Sequence, residues 1–157
     1  MATNFSFSAL LRHLDAGTSP NRSPSSPTEE HMRKVMEAYV ANIGKADPEF
    51  AAKYMAEGLT LADPVGSDPL AGSNTQESVS EVLSRLIDVP FTPQRAELIS
   101  PIRFSLENQA AMAFKFWAEI DGRNISIDII DVMTFDASGK ICDIRAYWGI
   151  ENVTLLD

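Results

Sequence analysis

The chain has 157 residues, 45% of them hydrophobic and 22% charged, and a formal net charge of −9. Those values describe one soluble domain, and the acidity argues against nucleic-acid or anionic-membrane partners, which are bound by clustered Lys and Arg. A single cysteine, Cys142, excludes an internal disulfide and a cysteine-built metal site, and fits a reducing, cytoplasmic setting.

No stretch approaches the ~20 apolar residues of a membrane span, and the N-terminus lacks the basic and apolar regions of a secretory signal. Residues 1–27 read as a flexible extension. Asn4 to Leu14 is weakly amphipathic, enough for a helical turn or two, and Gly17 to Pro27 is rich in Ser and Pro. A disordered tail and a segment that docks on a dimer or pocket surface both fit.

The folded part is expected over 28–157. Ser26-Pro-Thr-Glu29 has capping-box spacing, and Met32, Val35, Met36, Tyr39, Val40 and Ile43 then recur at helical steps, with Gly44 placed to end the helix. A second helix is predicted from Pro48 to Ala56, a short strand from Leu59 to Asp63, and a third helix from Thr75 to Ile87. Strands are predicted near 95–104, 110–120, 124–135 and 141–149, with hairpin turns at Asp121-Gly122 and at 136–139. Helices first and antiparallel strands after is the α+β pattern, a curved sheet closed on one face by three N-terminal helices.

The alternation along these strands lists their inward faces. Met112, Phe114, Phe116, Ala118 and Ile120 share one side of their strand, and Cys142, Ile144, Ala146 and Trp148 one side of the last. Between them runs Ile125, Ile127, Ile129, Asp131, Met133 and Phe135. A packed core explains the apolar residues, and so does a wall for a flat, apolar ligand. Asp131 favours the wall, because a core has no use for an unpaired acid. Desolvation keeps such a carboxyl neutral, and a neutral acid in an apolar site can donate a hydrogen bond to a developing oxyanion.

Two more polar residues stand out. Tyr39 lies on the apolar face of the first helix, where its hydroxyl needs a partner or the domain edge. Asp63 ends a short predicted strand and precedes Pro64, which favours an extended backbone there; an Asp-Pro at a turn is ordinarily just turn chemistry.

Taken together, Glu30-His-Met32, Tyr39-Val-Ala41, Asp63-Pro-Val-Gly-Ser67, Ile130-Asp131 and Arg145-Ala-Tyr-Trp-Gly149 resemble bacterial Δ5-3-ketosteroid isomerase. That family sits in the cone-shaped α+β superfamily with scytalone dehydratase and SnoaL-like polyketide cyclases. The resemblance implies Asp63 as general base, with Tyr39 and a neutral Asp131 as donors to the C3 oxygen of a dienolate. It also implies a steroid-like ligand lined by Val65, Phe114, Phe116, Ala118, Ile144, Ala146 and Trp148, no cofactor or metal, and a homodimer through the outer sheet face. A cyclase or dehydratase acting on another ketone, or a non-catalytic pocket for an apolar ligand, are the alternatives.

The chain also departs from the family. Residues 75–87 contain no aromatic side chain where known members carry a Tyr that supports the oxyanion Tyr, and Tyr54 stands nearby on the second predicted helix. The segment from Leu70 to Gln109 is longer than expected, and Val89-Pro-Phe-Thr-Pro93 reads as extra loop.

Overall fold

Apolar residues at helical spacing build the first layer of the core. In the computed structural model, which describes residues 6–17, 25–45, 47–67, 70–71 and 88–156, helix α2 spans Glu29–Asn42 and buries Met32, Val35, Met36 and Val40. Its cap is Thr28, whose side chain accepts the His31 N–H, and not Ser26 as the sequence spacing suggested. Helix α3, Pro48–Tyr54, begins after Asp47, whose Oδ1 accepts the Glu49 N–H at 3.0 Å. A tenth of the way along the chain, Phe7–Ala16 forms a further helix, α1, capped by Ser6 and closed by Gly17 in the left-handed region. None of its residues is buried, and Phe7, Leu11 and Leu14 are exposed. The predicted helix over Thr75–Ile87 lies outside the described residues.

The strands are β1 Met55–Ala62, β2 Leu70–Ala71, β3 Phe91–Leu98, β4 Arg103–Phe104, β5 Gln109–Ile120, β6 Arg123–Phe135, β7 Ile141–Tyr147 and β8 Val153–Leu155. They form one sheet in the order β2-β1-β7-β6-β5-β3, with β4 on β5 and β8 on β6. All pairings are antiparallel except β1 with β7, which is parallel, so the sheet is mixed and not the antiparallel one expected. The reason is topological: the chain reaches β1 from the helices and returns to its flank only after the β5–β6–β7 meander. Helix α2 packs on β3 and β5, and α3 on β1.

Several boundaries move for physical reasons. The second helix stops at Tyr54, and β1 starts four residues earlier than predicted, running through Gly58 at φ 74 where its register on β7 shifts. The residues read as extra loop before Pro93 are partly strand, because Pro93 sits at a register shift opposite β5, a position that tolerates a missing N–H. The predicted strand near 95–104 breaks between Leu98 and Arg103. On β7 a bulge opposite Thr134 and Phe135 makes Cys142 the extra residue and turns Ile141 into the core in its place. The Asp121-Gly122 hairpin forms as predicted, both residues at positive φ.

Candidate active site

Sheet register brings the two carboxyls into one row. Asp131 on β6 pairs with Met112 of β5 on one side and Ala146 of β7 on the other. On the far side of β7, Ala62 of β1 is registered on Arg145, which brings the next residue, Asp63, level with Ala146. Asp63 and Asp131 are thus two strands apart, about 10 Å between backbones at the usual strand spacing. The turn that follows β1 is tied to the same row, since the Val65 N–H donates to the Ala146 carbonyl at 2.8 Å.

Asp131 is 2% exposed, and its Oδ1 has no hydrogen-bond partner among the described residues. Burial holds its carboxyl well above the usual carboxylate range, and the negative charge of Asp63 pushes in the same direction. Asp63 itself is partly buried. Burial raises its carboxyl, while the Trp148 indole N–H, donating to Oδ1 at 2.6 Å, pulls it down. The two acids are therefore unequal: Asp63 has a donor that favours its anion, and among the described residues none reaches Asp131 Oδ1.

Tyr39 enters from α2. Burial raises its phenol well above the ordinary value, and the charges of Asp131 and Asp63 raise it further. All three groups therefore lie within electrostatic reach of one another. A phenol and a carboxylic acid, each favoured in its neutral form, can donate hydrogen bonds, and an ionised carboxylate beside them can accept a proton.

The apolar residues read from the sequence fall into two sets. Phe114, Ala118, Ile144 and Ala146 are buried in the core cluster, and Phe116 and Trp148 are half-buried against it, with Phe116 6.1 Å from the Phe91 ring. Val65 is 38% exposed at the edge of the Asp131 row. Trp148 is more than wall, because its indole N–H holds Asp63. Sequence reading missed that role, since alternation gives the face of a side chain and not its partner. It also missed Phe50, a core residue of α3 whose ring stands between those of Tyr39 and Tyr54. A separate cleft of about 460 Å³, lined by Ser25, Glu107, Asn108 and Asp136 among others, holds none of the three groups. Among the described residues no cluster of three or more His, Cys, Asp or Glu is placed to hold a metal ion, and no helix is long and apolar enough to cross a membrane.

Fold and site define an α+β protein that sets two desolvated carboxyls and a desolvated phenol in reach of one another on a mixed sheet. A steroid Δ-isomerase of Nocardioides simplex is 30% identical over 110 residues, which span 70% of this chain and 83% of that protein. The chain belongs to the steroid Δ-isomerase family. No model of a protein family matches it.

Proposed function

We propose that the protein is an isomerase that converts Δ5-3-ketosteroids to Δ4-3-ketosteroids by moving a proton within the substrate. Asp63 takes the proton from C4, the C3 oxygen becomes a dienolate oxyanion, and Asp63 returns the proton to C6. The double bond moves into conjugation, atoms and charge balance, and no cofactor or metal takes part. Tyr39 and neutral Asp131 donate to the oxyanion.

One observation carries this reading: Asp131 Oδ1 is buried without a partner among the described residues, in the same cross-strand row that ends beside Asp63. A proton α to a ketone is so weakly acidic that a carboxylate removes it only where the enolate oxygen is stabilised as charge develops. A donor that keeps its hydrogen bond for that oxygen costs no reorganisation at the moment of reaction. The unequal carboxyls support the division of labour. The charge on Asp63 discourages a second charge at Asp131, and the Trp148 N–H favours the anion at Asp63. The resemblance of the chain to the steroid Δ-isomerase of Nocardioides simplex supports the substrate class. Val65, Phe114, Phe116, Ala118, Ile144, Ala146 and Trp148 are the residues proposed to line it. A homodimer through the outer sheet face completes the reading, supported by half-exposed Ile130 and Tyr147, direct neighbours across β6 and β7.

The test is turnover of 5-androstene-3,17-dione, followed by the absorbance of the conjugated enone, beside Asp63→Asn. Conversion that the variant loses supports the reaction and the base together. Folded protein without conversion overturns the substrate assignment and turns attention to polyketide-like ketones.

A further inference from the structure

Tyr39 projects from α2, but its ring rests on α3. The Tyr39 and Phe50 ring centroids are 6.2 Å apart with planes tilted by 54°, and Phe50 stands 5.0 Å from Tyr54, one helical turn further along. Phe50 is 6% exposed and belongs to the core cluster. Among the described residues no side-chain hydrogen bond holds the Tyr39 hydroxyl, and the ring of Phe50 is the aromatic neighbour of the phenol. The element that carries Phe50 is itself fixed at both ends. Asp47 caps its start, and Lys140 Nζ donates to the Ala52 carbonyl near its end at 3.1 Å. The turn between α2 and α3 is pinned on β3, where a Cβ on Gly44 would lie 2.0 Å from the Gln94 carbonyl oxygen.

A tyrosine oriented through its hydroxyl shares that group with the residue that orients it. A tyrosine oriented through the face or edge of its ring keeps the hydroxyl proton for a ligand. Aromatic pairs prefer tilted and edge arrangements, so such a contact is directional and not only apolar. We infer that Phe50 is a positioning residue for the reaction proposed above: from α3 it sets the tilt of the Tyr39 ring and so aims the hydroxyl at the substrate oxygen. This rests on Tyr39 acting as an oxyanion donor. Phe50 touches no substrate. Leu at this position keeps an apolar side chain but offers no flat face, and small tilts about the Cα–Cβ bond move the hydroxyl most because it is the far end of the ring.

The experiment is a double-mutant cycle of Phe50→Leu with Tyr39→Phe, with Phe50→Tyr as the ring-preserving control. Phe50→Leu is expected to lower kcat by about tenfold with KM little changed, since displacement of a reacting group by about 1 Å costs up to about a hundredfold. Phe50→Tyr is expected to retain most of the rate. In the Tyr39→Phe background the same Leu change is expected to cost less than about twofold, because the group it positions has gone. Equal losses in both backgrounds make Phe50 merely structural and overturn the inference. The Tyr39 ring signals give a readout free of turnover: with three tyrosines in the chain they are separable by NMR, and they should move in Phe50→Leu and return in Phe50→Tyr. Unmoved signals overturn the inference as well. Should Phe50→Leu fail to fold, Phe50→Met takes its place in the cycle. Protein that binds a planar phenol but isomerises nothing overturns the reaction alone, and the cycle is then read in phenol affinity.

Discussion

The Trp148 indole N–H donates to Asp63 Oδ1 across 2.6 Å, joining the residue that follows β7 to the residue that follows β1. The bond links the ends of two parallel strands and also acts on the acidity of Asp63, against the larger effect of burial. Burial pushes the Asp63 carboxyl up, and this donor is the force that opposes it. Trp148→Phe keeps an aromatic side chain and removes the donor, so the carboxyl rises further. Asp63 is then protonated to higher pH, and the acid limb of kcat/KM against pH shifts upward. A limb that stays in place shows that the bond does not tune the proposed base.

Asp63→Asn separates shape from proton transfer. The amide oxygen can still accept from Trp148, so the turn after β1 keeps its anchor while the proposed base is gone. Turnover is expected to fall by about 10²–10⁴, the usual contribution of a positioned general base. Affinity for a planar phenol, read by fluorescence, should survive or improve, because the charge that opposes binding near Tyr39 and Asp131 has been removed. Near-normal turnover would assign the base elsewhere.

Much of this arrangement is legible in the chain. Period-two alternation puts Asp131 among isoleucines on β6, and its burial follows from that pattern alone. The α2 face and the β5–β6 hairpin follow from local spacing in the same way. Partners across the sheet do not. The parallel return of β7 to β1 creates the row from Asp63 to Asp131, and that pairing joins segments some eighty residues apart with no local signature. The same is true of Trp148 on Asp63 and of Phe50 on Tyr39. Bulges erased the simple alternation at Cys142 and at Pro93, because one added residue reverses which side of the strand faces the core.

Asp131→Leu should act on function and stability in opposite directions. Turnover is expected to drop by about 10²–10³, the usual effect of losing one oxyanion donor, and phenol affinity should fall with it. Stability should rise, since a buried carboxyl oxygen without a partner among the described residues is replaced by carbon. The sign of the pH dependence follows from the raised carboxyl. A group whose folded value lies above its unfolded one contributes stability in full below the unfolded value, about 3.9 for Asp, and that contribution is lost as pH climbs to the folded value. The advantage of Asp131→Leu in urea is therefore larger at about pH 8 than at about pH 4. A midpoint that falls instead would make Asp131 a structural residue.

The outer face of the sheet makes a separate claim. Ile130 and Tyr147 are neighbours there at 50% and 46% exposure, beside the Lys115–Asp128 ion pair, while Trp117 is covered by the Arg95 guanidinium at 3.6 Å. Asp128, opposite in face to Asp131, thus takes a surface role. If this face joins two copies, Tyr147→Lys should halve the mass seen by light scattering. A monomeric wild-type protein would refute the homodimer.

Gly44 and Gly58 offer a paired test of what holds the Tyr39–Phe50 contact. Both have positive φ, 82 and 74, where a side chain is strained. At Gly58 a Cβ meets nothing within 4 Å, so Gly58→Ala should cost about 1–2 kcal/mol from backbone conformation alone. At Gly44 a Cβ would lie 2.0 Å from the Gln94 carbonyl oxygen and 2.6 Å from its carbon, so the turn must leave β3. Gly44→Ala should therefore cost more than Gly58→Ala in urea unfolding. It should also lower kcat, because α3 moves with the turn and takes Phe50 from the Tyr39 ring. Equal stability losses with unchanged kcat would mean that the turn yields without moving α3.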